Sequence, residues 1–172
     1  MSKNILAFDL GANCGYAVNS GNEFISGTVK LEPTAKQKRE RKKNKAEYGG
    51  IKFANFKKFL EELKNNNEID LVAFELVEKH GKYDRYSKRF LHNTYAGHAY
   101  GGYYAILTTF CEKYNLPCYG FPVGTIKKHI SGSGRSKKDG IIQSVKFLGY
   151  EPKDDNEADA IAVHDLAKHQ LT

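Results

Sequence analysis

The chain has 172 residues, 40 % of them hydrophobic and 27 % charged, with a formal net charge of +7. That length suits one domain that buries its own core and argues against two, and no apolar run approaches the roughly 20 residues of a membrane span. With 27 Lys and Arg against 20 Asp and Glu, the balance favours a phosphate-rich partner.

Residues 4–10 read as a buried strand, and 15–18 and 24–29 as two more joined by the turn Asn19-Ser20-Gly21-Asn22, an antiparallel meander. A charge run follows over 36–45; it is either a solvated face or a surface that lies along DNA. Phe53, Phe56, Phe59, Leu60 and Leu63 then recur at helical spacing, which predicts a helix of about twenty residues ending near residues 65–67. Residues 70–76 are another apolar strand, and a basic, tyrosine-bearing stretch leads into a long helix over 92–114. Residues 116–121 form a short strand weakened by Pro117 and expected near a sheet edge. Helices over 138–148 and 156–168 close the chain, separated by Gly149-Tyr150-Glu151-Pro152. Strands first, then strands alternating with helices, predict an α/β protein with a mixed five-stranded sheet flanked by helices, one domain over 1–172. The chain starts on a strand with no signal-peptide pattern, so a cytoplasmic protein without membrane association is expected. Cys14, Cys111 and Cys118 are odd in number and form no C-x-x-C, which points to reduced thiols and not to a disulfide framework or zinc ribbon.

Four carboxylates stand out against the basic balance. Asp9 and Glu75 each end an apolar run, Ile5-Leu6-Ala7-Phe8-Asp9 and Leu71-Val72-Ala73-Phe74-Glu75, where an ionised side chain is costly without a strong partner. A divalent cation is the simplest such partner, and metal-assisted chemistry on a polyanion follows. Asp155 and Asp159 stand four apart on one helical face, away from Glu157. A helix cap over 154–157 competes for that cluster; it covers Asp154 and Glu157 but leaves Asp159 unexplained. The six histidines form no H-E-x-x-H, and no ligand role is assigned to His164 or His169.

These residues carry a resemblance. Phe8-Asp9-Leu10-Gly11 with Gly15-Tyr16-Ala17, Ala73-Phe74-Glu75, Gly132-Ser133-Gly134-Arg135-Ser136-Lys137-Lys138 and Asp155-Asn156-Glu157-Ala158-Asp159-Ala160-Ile161-Ala162 resemble, in order and spacing, the RuvC-type Holliday junction resolvases of the ribonuclease-H-like superfamily, in particular the small bacteriophage versions. The resemblance runs nearly end to end. It implies a homodimeric endonuclease, joined through the helix near 92–114, that cuts four-way DNA junctions with two Mg2+ ions per site, Mn2+ substituting. It further implies that Asp9, Glu75 and Asp159 are metal ligands, Asp9 bridging, with a fourth ligand three or four residues before Asp159. Asp155 is favoured, because a carboxylate holds a hard ion better than an amide oxygen, and Asn156 is the alternative. A lysine at the place of Lys138 contacts DNA near the cut in that family, Lys127 matches a basic position, and Lys137 is the neighbouring alternative. All three are otherwise ordinary surface lysines.

Further DNA contacts are expected from Lys82, Tyr83, Arg85, Tyr86, Lys88 and Arg89, where cations hold phosphates and a tyrosine ring stacks on an unpaired base. The competing reading packs Tyr86 and Phe90 on the core at helical spacing. In the long helix, Gly97, Gly101 and Gly102 among Tyr95, Tyr100, Tyr103, Tyr104 and Leu107 suggest close approach by another segment, from a second subunit or from the same chain. Rival functions are a less selective nuclease of the same fold (flap, fork or RNA–DNA hybrid) and a non-catalytic binder of branched DNA. A sugar-kinase or actin-like ATPase also shares Asp9-Leu10-Gly11, but it needs a second similar domain.

Overall fold

The computed structural model describes residues 3–42, 50–84 and 86–172, apart from the side chains of Arg41 and Lys82. Its main sheet has the order β3-β2-β1-β4-β7, built from β1 (Ile5–Asp9), β2 (Asn13–Ser20), β3 (Glu23–Lys30), β4 (Leu71–Leu76) and β7 (Cys118–Pro122). β1, β2 and β3 pair antiparallel as the meander pattern predicts, whereas β4 joins β1, and β7 joins β4, in parallel. β7 takes an edge as expected, but it starts at Cys118, one residue after Pro117, and its own proline is Pro122 at the last position, where a missing N–H costs little.

Alternation along the strands builds two cores. Ile5, Ala7, Ala17, Leu71 and Ala73 face α6 (Asp155–Leu171), with α4 (Val123–Ser131) and α5 (Lys138–Phe147) beside it. Leu6, Phe8, Val18, Val72 and Phe74 face α2 (Ile51–Asn66) and α3 (Thr94–Lys113). Small residues gather under α6 and large ones under α2 and α3, so α6 beds close to the strands. Since side chains alternate with period two, Asp9 continues the Ile5–Ala7 face and Glu75 the Leu71–Ala73 face. Both are thereby presented on the α6 side of the sheet.

Three stretches differ from the sequence expectation. The charge run begins as α1 (Ala35–Lys42), opened by a reciprocal cap in which the Gln37 N–H donates to Thr34 Oγ1 and the Thr34 N–H to Gln37 Oε1; residues 43–45 of the run lie outside the described residues. The basic, tyrosine-bearing stretch is a hairpin, β5 (Gly81–Asp84) against β6 (Arg89–His92), so the helical packing of Tyr86 and Phe90 does not occur. Helix α4 was not anticipated, although Val123, Ile126 and Ile130 carry a helical period; only Ile126 among them is fully buried, and the neighbouring proline and glycines mask the pattern. All three cysteines are free, and no helix of the described residues is long and apolar enough to cross a membrane.

Candidate active site

The C-terminal ends of β1 and β4 lie side by side, Phe8 paired with Phe74, so Asp9 and Glu75 are neighbours on the sheet. What brings α6 over them is Gly15. It pairs with Asp9 across β1 and β2, and a Cβ there would overlap the Asn156 carbonyl and meet the Ala160 Cβ at 3.2 Å. Gly15, within β2, is thus the point of close approach between the sheet and α6. The start of α6 is then pinned to the edge strand: Thr28 Oγ1 donates to Asp154 Oδ1 (2.6 Å) and Ser26 Oγ to Glu157 Oε1 (2.7 Å). The Glu157 N–H caps onto Asp154 Oδ1 (2.9 Å), and the Lys153 N–H onto Glu157 Oε2 (2.8 Å). Asp154 and Glu157 are occupied in holding the helix, which leaves Asp155 and Asp159 to face the strand ends.

The electrostatics record the convergence. Burial raises the Asp9 carboxyl well above its usual range, and the charges of Glu75, Asp159 and Asp155 raise it further, against Lys138. Glu75 is pushed up to about 7, first by burial and then by Asp159, with Lys127 opposing. Burial also raises Asp159, opposed by Lys127. Asp155 moves the other way, because its ion pair with Lys138 favours the charged form. Among the described residues, Asp9, Glu75 and Asp159 have neither a side-chain hydrogen bond nor a salt bridge to a protein cation, and no three His, Cys, Asp or Glu side chains close into a ready-made metal cage. The strand pairing and the pinned start of α6 hold the carboxylates near enough to feel one another, and their repulsion opposes closer approach. Oxygen donors alone, partly buried and lacking protein partners, suit a hard divalent cation.

Two of the three proposed lysines share this neighbourhood. Lys138 opens α5 and pairs with Asp155, and Lys127 on α4 acts on both Glu75 and Asp159. Lys137 occupies the exposed cap position of α5, with no such contact. Asn156 presents its backbone carbonyl to β2 at Gly15.

The hairpin leaves β4 just beyond Glu75. Tyr83 is 61 % exposed and Tyr86, at the tip, 99 %, and Asp84 ties the tip through Ser87 Oγ (2.6 Å) and the Tyr86 and Ser87 N–H groups. Lys88 and Arg89 are exposed; Arg85 and the Lys82 side chain lie outside the described residues. Tyr100 on α3 borders the candidate site, a placement that its spacing did not reveal. Its hydroxyl donates to the Glu75 carbonyl (2.9 Å) and accepts the Val77 N–H (3.1 Å), closing the end of β4 where the ladder stops. Its ring packs on His80 at the base of the hairpin. Elsewhere on α3, Gly102 receives Phe53 of α2, so this glycine serves packing within the chain, while Gly101 faces open space and Tyr104 is 40 % exposed.

No protein-family model and no curated protein matches the sequence. Solved structures match the fold. RuvC of T. thermophilus in complex with a Holliday junction substrate superposes with a TM-score of 0.67 at 15 % identity, over 94 % of this chain and 90 % of that one. A second Thermus thermophilus RuvC structure gives 0.62 at 14 % over 96 % and 95 %, and the yeast mitochondrial Holliday junction resolvase Ydc2 gives 0.57 at 11 % over 94 % and 76 %. The mixed sheet, its strand order and its flanking helices give this chain an α/β fold of the ribonuclease-H-like type, shared with those structures.

Proposed function

We propose that this single-domain chain is a magnesium-dependent endonuclease of the RuvC type that resolves four-way DNA junctions as a homodimer. The observation that carries the reading is the meeting of Asp9, Glu75, Asp155 and Asp159, from three elements remote in sequence, at one sheet end without enough protein cations to balance them. The fold shared with junction resolvases, one of them bound to a Holliday junction, supports the substrate.

Asp9, Glu75, Asp159 and Asp155 would hold the ions. When bound, magnesium supplies Lewis-acid activation of water and neutralises charge at the phosphorus. Among the chain's own groups, Asp9 sits centrally and feels all three other acids, which suits it to share its two oxygens. Lys138 neutralises Asp155 in the free protein and is 73 % exposed, so it is free to turn to an incoming phosphate. Lys127 holds down the repulsion between Glu75 and Asp159. The Tyr83 and Tyr86 rings suit stacking on a base unpaired at the branch, and the exposed stretch of α3 around Gly101 and Tyr104 suits the subunit contact.

Nicking assays on four-way, three-way and linear duplexes, with Mg2+, Mn2+ or chelator, test the reading. Paired nicks confined to branched DNA and abolished by chelator are expected. Equal cutting of linear duplex would replace junction selectivity with a broader nuclease of the same fold, and cutting in chelator would refute the metal assignment.

A further inference from the structure

Helix α1 has no inward face among its described side chains. None of its described side chains is buried, Gln37 alone is half-covered, and Lys36, Lys38, Arg39 and Lys42 stand in solvent with Glu40 the single acid. Its start is set locally, by the Thr34–Gln37 cap. With no buried face among the described side chains, the helix lacks the packing that ordinarily holds helices, and Lys38 with Lys42, and Lys36 with Arg39, place like charges on neighbouring turns. Such a helix gains most from a polyanion laid along it.

The sheet decides where that polyanion would lie. β3 runs toward the end of the sheet at which β1 delivers Asp9, with Asn13 paired to Lys30. Just beyond, the Leu31 N–H donates to the Ala12 carbonyl (2.8 Å), three residues from Asp9, and the Asn55 amide donates to the Leu31 carbonyl (2.8 Å). α1 begins four residues after this double anchor, within about 14 Å of it by chain reach. The hairpin leaves the same sheet end from β4, on the other side of β1. Two basic elements therefore flank the carboxylates.

Resting on the nuclease reading above, we infer that α1 is a phosphate-tracking arm that holds the duplex flanking the cleavage site. The eight described residues of α1 span about 12 Å, and duplex DNA carries a charge every 1.7 Å or so of its axis, so about seven charges run alongside them. Because phosphates carry no sequence or branch information, the contact serves any duplex arm equally.

The test is the variant Lys36→Ala/Lys38→Ala/Arg39→Ala/Lys42→Ala, whose sites are exposed and whose new residues favour helix. Binding to a four-way junction and to a linear duplex is titrated at 50 and 200 mM salt, with thermal unfolding as a folding control. Two to four lost phosphate contacts lower the salt slope by about 2 to 4, so raising the salt should cost the variant about 10- to 150-fold less affinity than it costs the wild type. Both DNAs should weaken together at 50 mM salt, and single-turnover nicking at saturating junction should be unchanged. Unchanged affinity and slope would overturn the inference, as would a nicking defect at saturation with affinity intact. Wild-type protein that binds steeply with salt yet never nicks would sink the nuclease reading and leave the arm standing; wild-type nicking with an indifferent variant would sink the arm alone.

Discussion

Glu75 should cost the metal-free protein stability, so Glu75→Gln should stabilise the fold while abolishing cleavage. The carboxyl is held at about 7 against an ordinary 4.5, mainly by burial and next by Asp159. The folded chain thus binds this proton more tightly than the unfolded chain does. Its favourable contribution is complete below about 4.5 and is lost as the pH rises through about 7, where the ionised form costs about 3 kcal/mol. Glutamine keeps the shape and removes the titration. In chelator at pH 8, with a urea dependence of about 2 kcal/mol/M, the unfolding midpoint should rise by about 1.5 M. At pH 5 the gain should shrink below about 1 kcal/mol, because Glu75 is then almost wholly protonated in the folded protein. Added Mg2+ should raise the wild-type midpoint more than the variant's, since the variant lacks a ligand. A variant no more stable than wild type at pH 8, or one with the same advantage at both pH values, would refute the claim that an uncompensated carboxylate is stored at this strand end.

Gly15→Ala sets a methyl group against the Asn156 carbonyl; it should destabilise by about 1 to 3 kcal/mol in urea unfolding and lower nicking by tilting α6 away from Asp9. Tyr100→Phe deletes the clamp on the Glu75 carbonyl and the Val77 N–H and should slow single-turnover nicking about tenfold with junction affinity unchanged; parallel losses in both would assign Tyr100 to binding instead. Tyr86→Ala should weaken four-way junction binding by about 1 to 3 kcal/mol and spare linear duplex in gel-shift titrations, since an exposed ring at the hairpin tip packs on nothing in the protein itself. His164 is buried and neutral, its Nε2–H donating to Asn19 Oδ1 (2.7 Å), with its pKa lowered to about 4. As the pH falls below about 6.5 the unfolded chain gains a proton that the folded one refuses, so this residue alone should remove about 2 kcal/mol by pH 5; His164→Gln should abolish that share of the pH dependence in chemical unfolding.

Much of the architecture is local in origin and was legible along the chain. Apolar runs bounded by turn residues specified the five strands, helical spacing specified α2, Gly149–Pro152 marked the break between α5 and α6, and Pro117 marked the approach to an edge strand, because period and backbone chemistry act over a few residues. Asp9 and Glu75 were conspicuous for the same reason, as charges at the ends of runs that otherwise bury. Parity along β1 and β4 even determines which face they share, once the two strands are known to be parallel neighbours. That adjacency is a long-range fact, as is the bedding of α6 on Gly15, and no pattern within either segment encodes it. The hairpin escaped notice because its strands are short and bury little, α4 because its apolar period is brief, and Tyr100 because its role depends on a strand end twenty-five residues away. Composition and periodicity determined which elements form and which side chains are costly; only the tertiary structure decided which of those costly charges meet, since their mutual repulsion exists only after the chain has brought them together.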